Sequence, residues 1–211
     1  TRASLRPGDT VLVQGAGGGV STAAIALAAA VLVQRQPDVI IGSFAADHVI
    51  LDQAEFQKSV LEAVDVAATG KIVTIGLRPT EPSVGFGYIQ KGEPLDSPTA
   101  CQVLKFVEKP SIKVAKQYVD SGEYFWNAGM FVVRASVLLD LLRETEPELV
   151  QTVVKLAEVW HTDARADALT ELWPALHKVA IDYSVAETAA ARGLVAVVPA
   201  TFTWRDLGDW A

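Results

Sequence analysis

Carboxylates and amides set beside glycines are the groups in this 211-residue chain best able to do chemistry. In "GSFAADHVILD" (42–52) an Asp-His pair follows an apolar run that reads as a strand. Ligands of α/β sheets bind beyond the carboxyl ends of strands, so Asp47 is placed to offer a hard oxygen to Mg²⁺ beside phosphates. "FTWRDLGDW" (202–210) carries a second carboxylate, Asp206, among aromatic residues. In "FVEKP" (106–110) Glu108 and Lys109 stand at a strand end, suited to sugar hydroxyls and a phosphate. In "WNAGMF" (126–131) Asn127 has both a donor and an acceptor for hydroxyls, and Gly129 allows close approach. "GFGYI" (85–89) flanks Phe86 with Gly85 and Gly87, leaving backbone N–H groups free to meet a sugar or base edge. Taken singly, each has an ordinary explanation: a satisfied loop aspartate, a capped turn, a solvated ion pair, a polar kink, an edge-strand bulge.

A glycine loop, Gly15, Gly17, Gly18 and Gly19, lies between a β-branched run and an alanine-rich helix. Such a loop lets backbone N–H groups at a helix start cradle a phosphate. The dinucleotide fingerprint is incomplete, because Gly15 and Gly17 fit but Val20 takes the third position. No lysine follows, so the Walker pattern fails as well. The loop is a candidate phosphate cradle, with a ligand-free strand-to-helix turn as the other reading.

These groups must be held by regular elements. The chain is 50% hydrophobic and 20% charged, enough to bury a large core in one or two domains. Its net charge of −7 comes without a long basic run, which sets nucleic-acid binding aside, while local Arg and Lys can still hold small anions. Its single cysteine, Cys101, excludes an intrachain disulfide and suits a reducing cytoplasm. The apolar stretch 23–33 is too short to span a bilayer. The patterning predicts strands at 10–14, 38–44 and 71–77, with helices from Ser21 or Thr22 to 36 and over 53–69. Asp52 and Glu55 form a capping box for the second helix, Phe56, Val60, Leu61 and Val64 share its inner face, and Gly70 stops it. This βαβαβ rhythm predicts an α/β fold with a mainly parallel sheet. A Pro- and Gly-rich loop follows, then strands near 88, at 102–107 and through 124–133, helices at 111–121, within 135–172 and at 183–191, and late strands at 194–198 and 202–204.

In this order the segments resemble the sugar-nucleotide pyrophosphorylases, and most closely the mannose-1-phosphate guanylyltransferases, from about residue 21 to 211. "TAAIALAAAVLVQRQPDVIIGSFAADHVI" resembles the stretch leading to that family's metal-site aspartate, with Ala45-Ala46 where Pro-Ala is usual. "IVTIGLRPTEPSVGFGYI" resembles its sugar-recognition loop, with Val84 for Thr and Phe86 for Tyr. "HKVAIDYSVAE" (177–187) resembles its late sugar-site helix. The resemblance implies a Rossmann-like, nucleotide-diphospho-sugar transferase fold whose N-terminal part is missing or replaced. It implies Asp47 and Asp206 as Mg²⁺ ligands and, with Lys109, as catalytic groups. Glu108, Lys109, Asn127, Gly85, Gly87 and Gly129 would contact mannose and its phosphate, with Asp182 near the same site. The implied reaction is in-line attack of mannose 1-phosphate on the α-phosphorus of GTP, releasing pyrophosphate, driven by positioning and charge neutralisation.

Upstream, "LRPGDTVLVQGAGGGVSTAAIALA" resembles the cofactor-domain start of medium-chain dehydrogenases and quinone reductases over about residues 4–28. The GGxGxRL loop of the pyrophosphorylases, with its following lysine, does not occur in this sequence. The chain therefore reads as one domain, 1–211, with a dehydrogenase-like piece (1–22) joined to a guanylyltransferase-like remainder (23–211). Impaired nucleotidyl transfer is expected. The alternatives are an NADP-linked reductase of the quinone-reductase type and a non-catalytic sugar-phosphate-binding chimera. An unpaired sheet edge would favour a homo-oligomer.

Overall fold

A computed structural model of the chain describes residues 10–15 and 22–207. It begins with β1 (Thr10–Gly15), α1 (Thr22–Val33), β2 (Ile40–Ala45), β3 (His48–Ile50), α2 (Gln53–Ala67) and β4 (Ile72–Leu77). The middle holds β5 (Gly87–Pro94), β6 (Cys101–Val107), α3 (Ile112–Ser121), β7 (Tyr124–Arg134), α4 (Ala135–Thr145), α5 (Pro147–Glu158) and α6 (Arg165–Leu172). A π-helical turn (Asp182–Ala186) runs into α7 (Glu187–Ala191), followed by β8 (Val195–Ala200) and β9 (Trp204–Asp206).

Local sequence accounts for both ends of α2 and for the end of α3. Asp52 is the N-cap of α2, although its side chain makes no capping hydrogen bond, so the expected box with Glu55 does not form. Gly70 ends the connection with φ +95°, and Gly122 closes α3 in the left-handed conformation that suits glycine. Leu61 is exposed, because α2 turns Ser59, Glu62, Ala63, Val66 and Ala67 inward and the next residue after Val60 points away. After Thr22, α1 has no polar residue and is buried nearly all round, as expected of a helix wedged between a sheet and other helices.

The main sheet has the order β1-β2-β7-β4-β8-β6-β5. It is mixed, not mainly parallel by pairing. The pairs β1–β2 and β4–β8 are parallel, whereas β7 is antiparallel to β2, β4 and β5, and β6 is antiparallel to β5 and β8. The pairings nonetheless point β1, β2, β4, β5 and β8 the same way. The reason is that β7 is inserted between β2 and β4, where the βαβαβ rhythm of the first 77 residues predicts direct parallel neighbours. One face is covered by α1, α4, α5 and α7, the other by α2 and α3. Among the described residues no helix is long and apolar enough to cross a membrane.

Candidate active site

The strands β2, β4 and β8 end at one side of the sheet, and the chemistry gathers there. Past β2, a turn through Asp47 leads into β3, which pairs antiparallel with β9 so that His48 lies opposite Asp206 and Ile50 opposite Trp204. The Leu207 N–H donates to the Asp47 carbonyl at 3.0 Å, and the Leu51 N–H to the Thr203 carbonyl at 3.3 Å. This ribbon joins residues from distant parts of the chain. One donor atom each from Asp47, His48 and Asp206 lie within 4.8 Å of one another. Asp47 Oδ1 and His48 Nδ1 are buried, with no hydrogen-bond partner among the described residues. Burial holds His48 below its usual pKa against the opposing pull of Asp206 and Asp47, which favours the neutral imidazole. A buried, unpartnered carboxylate oxygen beside a second carboxylate fits a hard divalent cation.

An aromatic wall links this cluster to the middle of the sheet. His48 packs edge-on to Trp204 at 5.2 Å between centroids, Trp204 meets Phe86 at 5.2 Å, and Phe86 meets Trp126 at 5.1 Å. Phe86 thus stands between the two clusters, and Trp126 is the neighbour of Asn127.

The second cluster is polar and largely buried. Gly87 at the start of β5 pairs with Asn127 on β7, which pairs on its other side with Gly76 of β4. The Asn127 carbonyl oxygen accepts from the Thr74 hydroxyl at 2.8 Å and from the Gly129 N–H at 3.2 Å. Its Nδ2 donates to Asp182 Oδ1 at 2.8 Å. Glu108 lies just past β6, and a Cβ on Gly87 would come within 2.4 Å of its Oε2, so only glycine leaves the carboxylate room. Lys109 adopts φ +44°, a conformation uncommon outside glycine, and its Nζ lies 4.0 Å from Glu108 Oε1. Burial pushes the Glu108 carboxyl up to about 7, with Asp182 and then Glu187 adding to the rise and Lys109 opposing it. Burial also raises Asp182, against its backbone hydrogen bond and the Asn127 N–H. At neutral pH Glu108 can therefore both donate to and accept from a hydroxyl.

A family model described as Nucleotidyl transferase matches residues 7–211. The chain belongs to the nucleotidyl transferase family. It is 36% identical over 211 residues to the mannose-1-phosphate guanylyltransferase of Escherichia coli (strain K12), covering 96% of this chain and 43% of that protein. It is 39% identical over 189 residues to the xanthan biosynthesis protein XanB of Xanthomonas campestris pv. campestris (strain B100), covering 89% of this chain and 39% of that protein. Its fold matches the crystal structure of mannose-1-phosphate geranyltransferase from Thermus thermophilus with a TM-score of 0.77 and 28% identity, over 92% of this chain and 54% of that one. The α/β architecture is that of nucleotide-diphospho-sugar transferases. The chain spans about 40% of the length of these curated relatives.

The family match starting at residue 7 corrects the reading of the opening segment. The dehydrogenase likeness over 4–28 is not supported, and neither is an NADP-linked reductase. Strand, glycine loop and helix recur in many nucleotide-binding α/β proteins, so a stretch this short cannot separate them. Within this nucleotidyl transferase, Asp47 and Asp206 come together, as do Gly87, Glu108, Asn127, Gly129 and Asp182. Gly85 sits in the preceding loop with its N–H donated to Ser83 Oγ at 3.2 Å. Gly15 ends β1 opposite Ala45 of β2, while Gly17, Gly18 and Gly19 lie outside the described residues. Two participants escape a sequence reading. Glu187 enters only through its charge, and Thr74 is hidden as a β-branched residue in an apolar strand.

Proposed function

We propose that this nucleotidyl transferase acts on GTP and mannose 1-phosphate, forming GDP-mannose and pyrophosphate, with Mg²⁺ held by Asp47 and Asp206. One observation carries the reading: a carboxylate pair suited to a cation and a buried hydroxyl-binding network share one end of one sheet, joined by the Phe86 wall. The names of the relatives supply the substrate class. The bound cation would neutralise phosphate charge and polarise the phosphoryl group under attack. Asn127, Asp182 and Glu108 would take sugar hydroxyls, Lys109 would meet the sugar phosphate, and Gly87 and Gly129 would give the substrate and Glu108 room. The nucleophile is the substrate's own phosphate oxygen, so the residues contribute position and charge, not a covalent intermediate.

The glycine loop Gly15, Gly17, Gly18 and Gly19 would approach a nucleotide phosphate. Its glycine run is followed by Val20 and Ser21 where the pyrophosphorylases carry Arg, so turnover by this chain is expected to be weak relative to sugar-phosphate binding. The setting fitting one cysteine is the cytoplasm, and self-association would use the β1 edge of the sheet.

Calorimetric titration with mannose 1-phosphate, GTP and GDP-mannose, each with and without Mg²⁺, tests the reading alongside pyrophosphate release. Mg²⁺-dependent binding of GDP-mannose and mannose 1-phosphate is expected. Absence of any sugar-phosphate binding in the presence of Mg²⁺ would overturn it. Binding without pyrophosphate release would leave a sugar-phosphate binder in place of an active transferase.

A further inference from the structure

We propose that Thr74 is a positioning residue that locks the Asn127 carboxamide in the orientation presenting one N–H to Asp182 and the other to a hydroxyl of the bound sugar; the substrate half of this rests on the function proposed above. β4 reads IVTIGL, six buried residues, and Thr74 is its one hydroxyl, 0% exposed. Valine would fill the same space with similar strand preference, so a hydroxyl there is unfavourable unless it is bonded. The bond it makes, 2.8 Å to Asn127 Oδ1, does not join register neighbours. Thr74 pairs with Phe131, and Gly76 with Asn127, so two steps along β4 span four along β7. The irregularity contains Gly129 at φ +65°, and it brings Asn127 to the Thr74 hydroxyl. With the carbonyl oxygen fixed by Thr74 and Gly129, Nδ2 is directed at Asp182.

Asp182 itself is anchored separately. Thr22 at the start of α1 donates its hydroxyl to the Val179 carbonyl at 2.8 Å and meets Ser184 Oγ at 3.0 Å, gripping the chain on both sides of Asp182. Loss of the Thr74 hydroxyl should therefore loosen the amide and leave the carboxylate in place.

The test compares T74V and T74S with the parent chain by thermal melting, by hydrogen exchange of the Asn127 side-chain N–H₂ in ¹⁵N NMR spectra, and by titration with mannose 1-phosphate and Mg²⁺. T74V is expected to exchange the Asn127 N–H about tenfold faster and to bind mannose 1-phosphate about tenfold more weakly, with GTP affinity unchanged. T74S, which keeps the hydroxyl, is expected to restore both. Parent-like exchange in T74V, or a T74S as loose as T74V, would overturn the assignment. If the parent chain binds no mannose 1-phosphate, the proposed function falls, and the exchange rates still decide whether Thr74 holds the amide.

Discussion

Asn127 donates to Asp182 at 2.8 Å across 55 positions of sequence, tying the irregular middle of β7 to the first residue of the π-helical turn. π-Helical turns within helices occur frequently at functional sites, because they re-aim side chains that a regular helix would point elsewhere. Here the turn brings a half-buried carboxylate to an amide that is already committed to two donors. The amide can point its N–H₂ at Asp182 only while its oxygen stays with Thr74 and Gly129.

Asn127→Ala removes the shared partner of Thr74 and Asp182 and leaves buried polar atoms unpaired. A loss of about 1–3 kcal/mol in stability is expected, together with a fall of tenfold or more in mannose 1-phosphate affinity. Urea unfolding and calorimetry on the same preparation check both.

Glu108 makes stability pH-dependent in a direction opposite to most carboxylates. Its pKa rises from 4.5 to about 7 on folding, because burial disfavours the charge, so the unfolded chain releases this proton first. The contribution is therefore full below pH 4.5, falls as pH rises through 7 and is level above. With the side chain 13% exposed, the linkage amounts to at most roughly 3 kcal/mol. Glu108→Gln should flatten the difference in urea midpoint between pH 5 and pH 8. Some slope should remain, because Asp182 is raised as well.

Glu62 on α2 behaves in the opposite sense. Burial raises its pKa, but donors outweigh it: the Ser97 and Thr99 hydroxyls and the Thr99 and Ala100 N–H groups all bond its carboxylate, at 2.6–3.0 Å. The net pKa is lowered, so this stabilisation is present above the ordinary carboxyl value and is lost as pH falls through the folded one. Glu62→Gln keeps one acceptor oxygen, turns the other into an N–H₂ donor and loses the charge, and about 1–2 kcal/mol is the expected cost at pH 7. Melting curves from pH 7 to pH 3 should converge for the two proteins at the acid end.

How much of this was legible in the sequence depends on range. The glycine stop at Gly70 and the position of the N-cap at Asp52 are local signals and read correctly, although the capping box with Glu55 does not form. The three-residue ribbon of β3 and β9 is too short to show alternation, yet it is what brings Asp47 to Asp206. Sequence pattern alone suggested each aspartate separately, and only family resemblance paired them. The insertion of β7 between β2 and β4 depends on pairing across about 90 residues to β2 and about 50–60 to β4, which periodicity does not report. Thr74 carries no signal of its own in the sequence, because a threonine in a β-branched run is ordinary until its hydroxyl is seen to have a partner.

Asp47→Asn tests the cation site. The substitution keeps shape but removes the charge of the buried oxygen that lacks a hydrogen-bond partner among the described residues. Mn²⁺ binding, followed by electron paramagnetic resonance, is expected to weaken at least tenfold, and Asp206→Asn should do the same. Asp52→Asn, on a carboxylate outside the cluster, should leave Mn²⁺ affinity unchanged. Equal affinity in all three variants would place the cation elsewhere.

Gly87→Ala separates room for a carboxylate from freedom of the backbone. Gly87 does not have a positive φ, so alanine brings no backbone strain of that kind. Its Cβ would instead stand 2.4 Å from Glu108 Oε2 and 3.4 Å from Asn127 Cβ. The first atom is the free end of a flexible side chain, so Glu108 should swing aside, with stability changing by about 1 kcal/mol or less. Its displacement toward water should lower the Glu108 pKa from about 7, because burial is the main cause of the rise. The drop in urea midpoint between pH 5 and pH 8 should therefore shrink in Gly87→Ala as it does in Glu108→Gln. Mannose 1-phosphate affinity should fall with it, because the carboxylate leaves its place against Gly87, the register partner of Asn127. Unchanged pH dependence with lost affinity would mean that alanine blocks the substrate directly, and Gly87 would then be making room for the sugar, not for Glu108.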